Sequence, residues 1–182
     1  MRAVVVLSCM AALVAGVFAG TGAGSSRATE ARVQDRCVRG EWRMSNAAAN
    51  ALLQRLISNP AMRVTEGVLT AAFPRGDRMR YGSTHFVLTL NAGDLTMIGS
   101  ATFYFEAGWQ TGNGKLILDA GRSELVISKF TAIKDGKTFT APGGPPVRQR
   151  TQGGPTPYTC RGNVLRWKIP INNSWATFRR VR

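Results

Sequence analysis

The spacing of apolar residues changes period twice along the chain. Cys37-Val-Arg-Gly-Glu-Trp-Arg43 alternates as a short first strand does. Ser45 then stands as an N-cap, and Ala49, Leu52, Leu53, Leu56 and Ile57 recur at helical spacing, so a helix is predicted over roughly Ala47 to Ser58. Asn59-Pro60 is expected to stop it. A helix this short is marginal alone and needs a surface to cover. From Val64 onward the period is two. Val64 to Phe73 reads as a strand, Pro74 to Asp77 as a turn, and Arg78 to Leu90 as a strand carrying Phe86, Leu88 and Leu90 on one face. Leu95 to Phe105 gives the clearest alternation: Leu95, Met97, Gly99, Ala101, Phe103 and Phe105 share a face opposite Thr96, Ser100, Thr102 and Tyr104, with Ile98 the exception.

Turn chemistry punctuates the rest. Gly112-Asn-Gly114 and Asp135-Gly136 are tight-turn signals around strands at Lys115–Asp119, Glu124–Ile133 and Thr138–Thr140. Pro142 to Pro157 is rich in Pro and Gly and lacks any hydrophobic period, so a long mobile loop is expected there. Val164–Ile169 and Ser174–Val181 read as the last two strands. The pattern predicts a mainly β fold: an antiparallel up-and-down barrel of about eight to ten strands, with one short helix after the first strand. Closure into a barrel removes the exposed edges of sequential hairpins.

The N-terminus changes the picture of where this fold works. Arg2, the apolar run Ala3 to Phe18, and small residues at Val17 and Ala19 make residues 1–19 a secretory signal peptide. An uncleaved anchor is the alternative, and Val6-Leu7-Ser8-Cys9 resembles a lipobox with almost no apolar run before its cysteine. Residues 20–36 are small and polar and read as a flexible leader. Residues 37–182 then form one β-barrel domain with enough chain for a real core. The expected location is secreted or extracytoplasmic, in the cell envelope, after signal cleavage. In an oxidising compartment Cys37 and Cys160, the two cysteines left after the signal, are expected to form a structural disulfide.

Charge adds a second partner class. The formal net charge is +14, with 19 Arg against 5 Lys. Such a surface favours acidic partners. The basic residues are spread along the chain, apart from Arg148/Arg150 and the terminal Arg179, Arg180 and Arg182.

Gly40-Glu41-Trp42 on the first strand, with Arg179 or Arg180 on the last, resembles the calycin pattern of lipocalins, fatty-acid-binding proteins and avidins. In those families the tryptophan closes one barrel end and an arginine of the final strand packs across it. The resemblance implies a barrel-closing set of Gly40, Trp42 and Arg180, with Arg179 as the alternative if the register slips by one. A guanidinium over an indole gains cation–π attraction while its donors reach nearby carbonyls. The fatty-acid-binding Arg-x-Tyr clamp is missing, because the chain ends Arg180-Val181-Arg182. The early Cys-x-x-Gly-x-Trp and late Tyr-Thr-Cys are also similar to small exported proteins of actinobacteria.

No catalytic constellation stands out, and the chain is not expected to be an enzyme. His85 is the only histidine, and its parity opposes that of Phe86 and Leu88, so it is expected to face solvent. Glu106, Asp119 and Glu124 are the nearest thing to a glycosidase carboxylate pair, although capping and surface pairing explain them equally. No metal-ligand cluster or cofactor motif is present. Phe103, Phe105, Trp109, Trp167 and Trp175 are candidate pocket aromatics or, more plainly, ordinary core. The expectation is therefore an exported, non-enzymatic binding protein holding a small apolar or amphipathic ligand. The alternative is a basic surface module for anionic envelope polymers, lipids or a protein partner; nucleic acid is not the expected partner.

Overall fold

The computed structural model describes residues 34–57, 61–168 and 174–181. The expected signal peptide, most of the leader and the Asn59-Pro60 stop lie outside them. Twelve strands and one helix follow in order: β1 (Gly40–Met44), α1 (Asn46–Ile57), β2 (Met62–Gly67), β3 (Leu69–Phe73), β4 (Arg78–Ala92), β5 (Leu95–Gly112), β6 (Lys115–Leu118), β7 (Gly121–Lys134), β8 (Lys137–Pro142), β9 (Val147–Thr151), β10 (Gly154–Arg161), β11 (Val164–Lys168) and β12 (Trp175–Arg180). Every pairing between them is antiparallel.

Eight strands close a circuit: β1, β3, β4, β5, β6, β10, β11, β12 and back to β1. The other four prolong its walls. β2 and β3 together run along β4, β6 and β7 together run along β5, and β8, β9 and β10 run along β7 and β6. The result is a mainly β, closed up-and-down barrel in which one wall rises well above the rest. Tight turns set the hairpins. Asn113-Gly114 and Asp135-Gly136 all have positive φ, as two-residue hairpin turns with right-handed strand twist require.

β4 explains how its wall changes character. Met79 and Ser83 are buried below and Leu88 and Leu90 above, which are opposite parities. A bulge between Ser83 and Phe86 absorbs the odd residue. The Ser83 hydroxyl donates to the carbonyl of His85 at 2.6 Å and fastens it. Gly67 faces this bulge with φ +95°, and a Cβ there would lie 2.0 Å from the His85 carbonyl oxygen, so the close approach requires glycine.

The helix starts as its sequence dictates: the Ala48 N–H donates to Ser45 Oγ at 3.2 Å. Ala49 and Leu52 enter the core. The side chains of Leu53, Leu56 and Ile57 lie outside the described residues. Asn50 docks α1 on the edge of β2, donating to the Val64 carbonyl at 3.0 Å and accepting the Val64 N–H at 2.6 Å. It thereby occupies the backbone groups that a further strand would have used.

One expectation fails. Pro142 to Pro157 is not a long loop; it carries β9 and the first half of β10. Over Gly154–Pro157, β10 pairs with β6, whereas its pairing with β11 begins only at Tyr158. The Tyr158 N–H points to the β6 side, to the Gly114 carbonyl, so by strand alternation Pro155 and Pro157 turn their nitrogens to the side without a ladder. A missing N–H costs nothing there.

Candidate functional site

The barrel has two ends of different character. Its lower end is sealed by the segment entering β1. Gln34 Nε2 donates to the Gly76 carbonyl at 2.9 Å, the Asp35 N–H donates to Thr111 Oγ1 at 2.7 Å, and the Tyr158 hydroxyl donates to Asp35 Oδ2 at 2.8 Å. The chain is therefore already tied to the barrel before Cys37. The disulfide Cys37–Cys160, with Cα atoms 5.9 Å apart, bolts this segment to β10.

Trp42 sits above the seal, fully buried, with its indole N–H donating to the Val38 carbonyl at 2.7 Å. The β1–β12 register pairs it with Arg180 and sets Arg179 against Arg43. The Arg180 guanidinium carbon lies 4.2 Å from the indole centroid. Its Nη1 donates to the Arg39 carbonyl at 2.7 Å and its Nη2 to the Cys37 carbonyl at 2.6 Å. Gly40 makes room: its φ is +121°, and a Cβ there would meet Arg180 Nη1 at 2.7 Å.

Aromatic rings fill the next layer. Phe73 meets Trp109 and Trp167 edge-on at centroid distances of 5.1 and 5.8 Å. Trp167 lies 4.4 Å from Phe178. Tyr81 closes the group, 5.5 Å from Phe103, 5.9 Å from Trp167 and 6.1 Å from Phe178. Such edge-to-face pairs add modestly to the burial that fills this base. Of the five aromatics singled out from sequence, Phe103, Phe105, Trp109 and Trp167 are buried in the core. Trp175 is not: it alternates with the inward Ala176 and Phe178, and Arg166 covers it from outside at 5.3 Å. Phe73, Tyr81 and Phe178 escaped the sequence reading. Only the bulge reveals that Tyr81 shares the inner face with Phe86.

Above Tyr81 the inner face opens. Cross-strand rows Phe86–Ala101–Ile127, Leu88–Gly99–Phe130–Ala141 and Leu90–Met97–Ala132–Phe139 continue the face that carries the core. On the β2 side these rows are buried at Leu88, Leu90 and Met97. Toward β7 and β8 they are not: Phe86, Ala101, Ile127, Phe130 and Ala132 are half-buried, and Phe139 is 60% exposed. An apolar, partly accessible wall thus stands over a sealed aromatic base.

The candidate acid–base groups lie elsewhere. His85 is in the bulge, 61% exposed, with Nε2 3.3 Å from Glu66 Oε2. Glu106 and Glu124 project from the outer face into arginine pairs, and Asp119 packs over Gly108. Among the described residues no group of three His, Cys, Asp or Glu side chains is arranged to hold a metal ion.

No family model matches the chain, and neither a curated protein nor a solved structure matches it.

All three tyrosines have phenols that resist ionisation. Burial drives Tyr81 far above the usual value near 10. Burial, then the hydrogen bond to Asp35 and its charge, pushes Tyr158 up to about 12. The hydrogen bond to Glu106 raises the exposed Tyr104. A phenol whose folded pKa is raised contributes stability fully present below its unfolded value of about 10, and lost as pH rises through the folded value. Absorbance at 295 nm is therefore expected to show the buried Tyr81 un-ionised at pH 10 in the folded protein and Tyr158 ionising only near pH 12. More than one phenol titrating near pH 10 with the fold intact would contradict these surroundings.

Proposed function

We propose that this is an exported, non-enzymatic binding protein of calycin-like type that holds a small apolar or amphipathic ligand against the upper inner wall of its barrel. The observation that carries the reading is the partly accessible apolar face of Phe86, Ala101, Ile127 and Phe130 above a base already filled by aromatic rings. An eight-stranded barrel is near the size at which its interior either fills or holds one small molecule. Here the lower part is filled and the upper part carries the accessible surface. The Trp42–Arg180 stack beside Gly40 supports the calycin comparison, and the disulfide is compatible with an extracytoplasmic site. His85, exposed and within hydrogen-bonding distance of Glu66 on the outside, supports the non-enzymatic part of the reading.

Native mass spectrometry of the exported protein, purified without detergent, is expected to show a co-purifying apolar molecule. A neutral apolar dye such as Nile red should bind the emptied protein. Ala101→Trp fills the wall, and Phe130→Asp makes it polar; each is expected to weaken dye binding by at least about tenfold, or about 1.4 kcal/mol. Unchanged affinity in both folded variants would overturn the proposal.

A further inference from the structure

The outer face of the tall wall carries an ordered field of charge. Two neighbouring cross-strand rows cross β4, β5, β7 and β9: Arg80–Glu106–Arg122–Arg150 and Gly82–Tyr104–Glu124–Arg148. Residues in one row of an antiparallel sheet share a face, with adjacent strands about 4.8 Å apart. Glu106 takes Arg78 at 2.5 Å and Arg80 at 3.4 Å, and accepts the Tyr104 hydroxyl. Those contacts, the Tyr104 bond first, hold its carboxyl below the usual range and so keep it charged. Glu124 takes Arg148 at 2.9 Å. Asp119 lies below both rows, over Gly108.

Both glutamates are thus engaged. Arg122 and Arg150 stand directly opposite one another, exposed, and among the described residues neither has an acidic partner. Like charges in directly opposed positions repel. An anion placed between them relieves that repulsion and meets two guanidinium forks, whose geometry suits carboxylate, sulfate or phosphate oxygens. Arg80 at one end of the row and Arg148 beside the other are already oriented by their glutamates. From β4 to β9 the field spans roughly 14 Å, enough for several charged groups of an extended chain.

We infer that the outer face of β4, β5, β7 and β9 is a docking surface for a linear acidic polysaccharide, with Arg122 and Arg150 as its anion clamp.

Two other polyanion classes fit less well. Single-stranded nucleic acid is held by stacking platforms, and the one exposed aromatic of this field, Tyr104, has its hydroxyl engaged by Glu106. A membrane surface would be met by charge and apolar side chains on the same face. Here the accessible Phe130 and Phe139 belong to the opposite, inner face of the sheet. A second opposed pair, Arg43–Arg179, lies outside β1 and β12. Its row neighbours are Thr70 and Val164, so no glutamate-held arginine flanks it, and Arg166 in the adjacent row lies over Trp175.

That second pair makes an internal control. Fluorescence anisotropy with a labelled heparin oligosaccharide, at several salt concentrations, compares the native chain with Arg122→Thr/Arg150→Thr and with Arg43→Thr/Arg179→Thr. Both double variants remove the same charge from outward strand positions. The first is expected to lose at least about tenfold in affinity and to show a flatter salt dependence, the second less than about threefold. Equal losses in the two variants would overturn the inference in favour of diffuse charge, and an unchanged first variant would overturn it outright. Tighter binding to a single-stranded oligonucleotide of equal charge, or to phosphatidylglycerol vesicles, would assign the surface to those partners instead.

Discussion

Replacing Trp42 with alanine is expected to lower the unfolding free energy by about 3–5 kcal/mol, the range for emptying a fully buried large aromatic site. The indole is completely enclosed and carries the guanidinium of Arg180 on its face. Its N–H holds the Val38 carbonyl, in the segment that seals the barrel. Truncation therefore leaves a cavity, frees a buried carbonyl and removes the surface on which Arg180 rests. Urea unfolding followed by far-ultraviolet circular dichroism measures it. A loss below about 1 kcal/mol would mean that the barrel end does not depend on this ring.

Opening the Cys37–Cys160 bond is the other large perturbation. The two cysteines are 123 residues apart in sequence, and the chain-entropy model assigns a loop of that length about 5 kcal/mol, an upper figure because denatured chains retain structure. Cys37→Ser/Cys160→Ser is expected to unfold at much lower urea than the native protein, by most of that amount. Reducing the native protein should reproduce the shift, and intact mass before reduction should show one disulfide. Equal midpoints for oxidised and reduced protein would remove the bond from the stability of the fold. The two perturbations are not expected to add, because Arg180 bonds the carbonyl of Cys37 while stacking on Trp42.

The alternation over Leu95–Phe105 is a local property, and β5 keeps that parity along its whole length. Asn113-Gly114 and Asp135-Gly136 are equally local, because positive φ is set by residue type within two positions. Tyr81 shows the limit. Its parity disagrees with Phe86, and only a bulge held by Ser83 and paired against β5 places both on one face. The prolines at 155 and 157 show another: whether a missing N–H matters depends on which neighbour lies on that side. The arginine clamp was invisible for the same reason. Arg122 and Arg150 are 28 positions apart, and only the β7–β9 register makes them opposites.

By itself, then, the chain determined its class, its turns and the cap at Ser45, since these depend on residue type and on a period of two or 3.6. The tertiary structure decided that Trp175 faces out, that the barrel is packed below and apolar but accessible above, and that two arginines meet on its outer wall. Those outcomes depend on strand register, and register is settled by contacts between residues far apart in the chain, which no local pattern encodes.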